Sequence, residues 1–106
     1  LGASWEGFAI GQVVHHLRAR PEECFFWATH GGAELDLLVV RGNRKLGFEM
    51  KRTDAPRTTR SMHIALEDLG LDRLDVVHAG ERAFPLGDRI RALPLAGLLD
   101  HLEPLG

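Results

Sequence analysis

The chain has 106 residues, 44% hydrophobic and 26% charged, with a formal net charge of −2 and a single cysteine. That length predicts one domain, spanning 1–106, near the lower size limit for a sheet covered by helices. The composition excludes a uniformly basic nucleic-acid coat, an internal disulfide and a cysteine-rich metal site. No apolar run reaches the roughly 20 residues of a membrane span and no signal peptide is visible, so a cytoplasmic protein with no membrane partner is expected. Cys24 is read as packing. The start at Leu1 instead of methionine, already in helix-like sequence, leads us to expect a piece of a longer chain.

Residues 4–18 predict the first helix, with Ser4 as N-cap, Ile10, Val13, Val14 and Leu17 as its apolar stripe, and Pro21 ending it. On a helical wheel Glu6 falls within that stripe, so an acid is expected to point inward. The adjacent His15 and His16 have no partner at metal-binding spacing and are read as surface residues. Residues 24–30, Cys-Phe-Phe-Trp-Ala-Thr-His, predict a first strand, with Gly31-Gly32 turning it and His30 placed near its end, where it could approach phosphate.

Residues 34–51 are two strand-like runs hinged at Gly42-Asn43. Glycine first in a two-residue connection suits a type II′ turn, so an antiparallel hairpin is expected. With Arg41 facing Arg44, Asp36 stands opposite Glu49 and Glu34 opposite Lys51. Alternation puts Glu49 and Lys51 on one face, and Leu35, Leu37, Val39, Leu46, Phe48 and Met50 on a core face behind them. Two opposed carboxylates repel unless compensated, and a hard divalent cation compensates them. Glu34 facing Lys51 is read as an ordinary cross-strand ion pair.

Residues 58–69 predict a second helix with Met62, Ala65, Leu66 and Leu69 inward and Gly70 closing it. A further strand over 74–79 is expected to run parallel to a member of the sheet, because a helix connects it. Short runs follow at 82–86 and 90–93, and a final helix is expected over 95–102. The fold class is therefore α/β (α+β), in the order α-β-β-β-α-β with a mixed central sheet flanked by helices. Residues 41–60 carry local positive charge, including Lys45, Arg52, Arg57 and Arg60, which could face phosphates. No phosphate-binding Gly-x-x-x-x-Gly-Lys-Ser/Thr loop, dinucleotide fingerprint or Ser-His-Asp spacing is present.

Asp36 followed by Glu49-Met50-Lys51 on the next strand resembles the active-site signature of the PD-(D/E)XK nuclease superfamily, with Leu35 where a proline usually stands. Trp27 to Asp36 and Gly47 to Lys51 are similar to the uncharacterised domain at the C-terminal end of prokaryotic AAA-type ATPases, over most of the chain. The resemblance implies a restriction-endonuclease-like core. It also implies Mg²⁺ or Mn²⁺ held by Asp36, Glu49 and the backbone carbonyl of Met50, with Glu6 from the first helix as a further ligand. Catalysis would use Asp36, Glu49, Lys51 and Glu6. The expected function is phosphodiester hydrolysis, DNA being the expected partner, alongside an N-terminal ATPase domain of the same chain. The alternative is a non-catalytic module that binds nucleic acid or protein for such an ATPase.

Overall fold

A computed structural model describes residues 4–106. The first helix, α1 (Trp5–Leu17), starts where Ser4 accepts a hydrogen bond from the Gly7 N–H, satisfying one of the free first-turn donors. It ends at Arg18, whose left-handed φ of 56° turns the chain before Pro21 is reached. Pro21 instead opens a 3₁₀ turn, Pro21–Glu23, whose capping bond runs from the Arg20 N–H to Glu23 Oε1. Three strands follow, β1 (Cys24–Ala28), β2 (Glu34–Arg41) and β3 (Arg44–Lys51). After them come α2 (Arg60–Leu69), β4 (Arg73–His78), β5 (Phe84–Gly87) and β6 (Ile90–Pro94). Thr59 caps the start of α2 and Gly70, at φ 65°, closes it. The expected order α-β-β-β-α-β is observed, with one more hairpin after it.

The six strands form one mixed sheet in the order β1-β2-β3-β4-β6-β5. β1, β2 and β3 are an antiparallel meander; β3, β4 and β6 run parallel, and β5 returns antiparallel on β6. The hairpin register is the expected one from Arg41–Arg44 to Leu37–Phe48. At its tip Gly42 has φ 58° while Asn43 stays out of the positive-φ region, the pattern a type II′ turn requires. The expected first strand is shorter than 24–30, because Thr29 leaves it to hold the turn: its Oγ1 accepts from the Ala33 N–H and its carbonyl from the Gly32 N–H.

Helices cover both faces. On one face Ala9, Val13 and Leu17 of α1 pack with Leu37, Val39, Leu46, Phe48, Met50, Val77 and Leu93. On the other, Met62, Ala65 and Leu66 of α2 pack with Leu35, Leu38, Leu71, Leu74, Val76 and Ile90. Leu35 therefore does not share the face of Leu37, contrary to strict alternation. Between the pairs Phe25–Leu38 and Trp27–Leu35, Asp36 and Leu37 on β2 oppose Phe26 alone, a β-bulge that shifts the alternation by one. Gly47, on the α2 side, is tightly flanked: a Cβ would lie 2.6 Å from Leu71 Cδ1 and 3.3 Å from Leu35 Cδ2, so Leu71 would have to shift to admit one.

The helix expected over 95–102 is only a 3₁₀ turn, Leu98–Asp100. Gly97, with φ −168° and ψ 20°, takes the chain off a helical path before it. The segment still closes the α1 side: Leu98, Leu102 and Leu105 are buried, and the Leu105 N–H donates to the Leu17 carbonyl. Cys24, half-buried, packs against the same cluster as expected.

Candidate functional site

The hairpin ladder stops at Leu37–Phe48, three residues short of the end of β3, and the carboxylates replace it. Glu49 Oε1 accepts the Asp36 N–H at 2.8 Å, and Asp36 Oδ2 accepts the Met50 N–H at 2.8 Å. Each acid thus binds the backbone of the opposing strand, in the positions where carbonyl acceptors would continue the ladder. The exchange stands at the bulge, where Asp36 and Leu37 together oppose Phe26 of β1. Among the described residues, neither Asp36 Oδ1 nor Glu49 Oε2 has a hydrogen-bond partner within the protein. No buried side-chain oxygen or nitrogen there is left unpaired, so both of these oxygens reach solvent.

They reach it through a cleft of about 500 Å³ lined by Glu6, Glu34, Asp36, Glu49 and Lys51, with Thr59 and Ser61 on the α2 side. Gly32, with φ 94°, brings the β1–β2 turn to its rim. The cleft is therefore built from the start of β2, the end of β3 and the first turns of both helices. Lys51 Nζ stands 4.0 Å from Glu49 Oε2 and its side chain is 41% exposed, so its ammonium can move toward a ligand. Burial, and after it the charge of Asp36, push the Glu49 carboxyl up to about 7, against the lowering effects of the Asp36 N–H and Lys51. A carboxylate held that far above its ordinary range is one that a cation stabilises as the anion.

Sequence reasoning brought Asp36, Glu49 and Lys51 together, and the structure does so as well. Glu6 lines the same cleft but is exposed instead of inward; it lies in the first turn of α1, before the buried Ala9. Glu34 and Lys51 are not a ladder pair, because the strands have separated, and Glu34 instead pairs with Ala28 on β1. Glu34, Thr59 and Ser61 were missed as cleft residues; the N-cap position of Thr59 was the available signal, since a helix that starts after a strand end turns its first residues toward that end.

The expected phosphate-facing residues separate. Arg60 lines a depression of about 200 Å³ that shares Gly32 and Ser61 with the cleft. His30, in the neighbouring turn, and Arg52 and Arg57, in the segment between β3 and α2, are exposed. Lys45 is at the far end of the hairpin, where its Nζ donates to the Leu69 carbonyl and closes the end of α2. That placement removes Lys45 from the cleft.

The donor set suits a hard cation of modest demand. Mg²⁺ typically takes one or two carboxylates, keeps several waters and shares its shell with a substrate phosphate; Asp36 and Glu49 offer one free oxygen each, with Met50 beside them. Among the described residues, no group of three or more His, Cys, Asp or Glu side chains is gathered to hold a metal.

The sheet and cleft define a small α+β domain with a paired-carboxylate site at the end of a central hairpin. The chain belongs to the family described as a domain of unknown function, DUF4143, which matches residues 1–98 and so includes every cleft residue. It is similar to two uncharacterised proteins, Mb2031c of Mycobacterium bovis and Rv2008c of Mycobacterium tuberculosis, at 48% identity over 99 residues in each case. The match covers 93% of this chain but only 22% of either relative. The chain thus spans about a fifth of the length of these relatives.

Proposed function

We propose that the domain is a divalent-cation-dependent phosphodiesterase acting on DNA, of the PD-(D/E)XK nuclease-like kind, and that it serves as an accessory, C-terminal domain of a longer AAA-type ATPase chain. The observation that carries this reading is the exchanged carboxylate–backbone clasp, which fixes Asp36 and Glu49 and leaves one oxygen of each open to the cleft. Mg²⁺ or Mn²⁺ bound there would supply an acidified water and neutralise charge on the attacked phosphate. Asp36 and Glu49 would hold the cation, with the Met50 carbonyl as the third protein donor. Lys51, half free beside Glu49, binds a phosphate oxygen and stabilises the charge that grows on it. Glu6 orders water at the open side of the cleft. Arg60, with Arg52 and Arg57 on the preceding segment, supplies positive charge for the flanking phosphates.

The test is cleavage of end-labelled single- and double-stranded DNA by the chain with Mg²⁺ or Mn²⁺. We expect cleavage that is lost on chelation, in Asp36→Asn and in Lys51→Ala, with circular dichroism unchanged. Absence of cleavage by the wild-type chain with either metal, across varied DNAs, contradicts the catalytic reading and leaves a non-catalytic module that binds nucleic acid or protein.

A further inference from the structure

At the end of the sheet away from the cleft, arginines stand on four adjacent strands. Arg41 of β2 pairs with Arg44 of β3, Arg73 of β4 lies beside Leu46 of β3, and Arg91 of β6 pairs with Asp75 of β4. They occupy the α1 side, since Arg73 and Asp75 lie four and two positions before Val77, and Arg44 two before Leu46, both in the α1 cluster. Like charges directly opposed across strands are destabilising, so such a row needs anions to offset it.

The protein supplies part of that offset. Glu23 takes Arg41 through two hydrogen bonds of 2.8 and 3.0 Å. Asp75, 0% exposed, takes Arg91 through both carboxylate oxygens, at 2.8 and 3.3 Å, and Arg73 Nε at 3.1 Å. The Arg91 guanidinium is further fixed by the His101 carbonyl at 3.2 Å. One buried carboxylate thus orients two guanidinium forks, while the Nη groups of Arg73 and Nη1 of Arg91 have no hydrogen-bond partner among the described residues. Arg44 has neither a hydrogen-bonded nor an ion-paired side-chain partner among them. All three arginines line one pocket of about 460 Å³, bounded on its other side by His101, Glu103, Pro104 and Gly106. That wall is anchored, because Leu105 is buried and its N–H is bonded to Leu17.

We propose that this pocket is a binding site for a phosphomonoester, carried by a free nucleotide or by the 5′-phosphorylated end of a nucleic-acid strand. Planar guanidinium forks bind phosphate oxygens through paired N–H donors. The unpaired Arg44 guanidinium and the free Nη groups of Arg73 and Arg91 offer more N–H donors than the two free oxygens of a carboxylate or phosphodiester accept, so the three terminal oxygens of a phosphomonoester suit them better. The volume exceeds what a bare phosphate fills and lies within the ordinary range for small-ligand pockets. The site is at the opposite end of β3 from Glu49, so it is independent of the proposed hydrolysis.

The test is thermal stability and calorimetric titration of the chain with 5′-AMP, inorganic phosphate and adenosine, in resin-treated metal-free buffer at constant low salt. We expect saturable binding of 5′-AMP and phosphate, none of adenosine, and an affinity for 5′-AMP about tenfold lower in both Arg44→Gln and Arg73→Lys. Arg44→Gln removes no bond that the fold uses, so it should keep the wild-type Tm. Tighter binding of a 5′-phosphorylated than of a 5′-hydroxyl oligonucleotide assigns the site to strand ends; equal binding of the two, with 5′-AMP binding retained, assigns it to free nucleotides. Indistinguishable behaviour of 5′-AMP and adenosine, or 5′-AMP affinity unchanged in both variants, overturns the proposal. Failure of the chain to cleave DNA has no bearing on either result.

Discussion

Gly47 and Glu49, two residues apart on β3, show how close the site is to the core. Gly47 is set by space: Leu71 and Leu35 press against it from the α2 side. Gly47→Ala should destabilise the fold by about 1–3 kcal/mol, the usual cost of overpacking, as measured by urea denaturation; a neutral result would mean that Leu71 yields freely. Glu49 is set by charge. Its carboxyl is held at about 7 against an ordinary 4.5, chiefly by burial and then by Asp36. Because the folded-state value is the higher one, its favourable contribution is complete below about 4.5 and is lost as pH rises through about 7. Glu49→Gln should therefore stabilise the metal-free domain at pH 8 by roughly 1–2 kcal/mol, the full linkage value being reduced by solvent reaching the cleft. The gain should vanish near pH 4.5, and a difference independent of pH would contradict this assignment. Asp36 behaves differently from a simple repelling acid. Asp36→Ala removes repulsion but also strips the Met50 N–H of its acceptor, a loss costing about 1–3 kcal/mol when the donor is buried. Asp36→Asn keeps an acceptor and is the better probe.

The hairpin of β2 and β3 is the element on which the site depends, and a part-buried ion pair anchors its far end. Arg41, next to the turn, reaches Glu23 in the 3₁₀ turn before β1. The hydrogen bond from Arg41 first, and that from the Arg20 N–H second, hold the Glu23 carboxyl down at about 2. A depressed carboxyl stabilises the fold above its unfolded-state pKa and stops doing so as pH falls through its folded-state value. The stability difference between wild type and Glu23→Gln should therefore be full at pH 6 and shrink between about pH 4.5 and 2. Thermal melts across that range check it; a constant difference would show that the pair acts only through packing.

Much of this element was legible in the sequence. The Gly42-Asn43 turn sufficed for the register as far as Leu37–Phe48, and running it on brings Asp36 to Glu49, which meet through the Glu49 side chain and not as a ladder pair. The bulge was not legible, because Leu35, Leu37, Leu38 and Val39 are all apolar and fit either face equally well. Nor was the end of the ladder at Leu37–Phe48, beyond which the side chains of Asp36 and Glu49 take the backbone N–H groups. Asp75 and its arginines were likewise hidden, since their meeting depends on β6 lying beside β4. A wheel plot placed Glu6 inward because it measures angle around the helix and not position along it; in the first turn the residue has no core beneath it.

At the scale of the whole molecule, the mixed sheet separates two charged sites. The antiparallel meander opens at the end of β3 into an acidic cleft between the first turns of α1 and α2. The other end of the parallel strands β3, β4 and β6 carries the arginine pocket. The proposed function requires that Asp36 and Glu49 together hold a divalent cation. Titrating Mn²⁺ and Mg²⁺ while following Tm tests it most directly, because a ligand that binds only the folded state raises Tm by mass action. A saturable rise in the wild-type chain that is absent from Asp36→Asn/Glu49→Gln is the predicted result. No rise in the wild type, or an equal rise in both proteins, would contradict the claim.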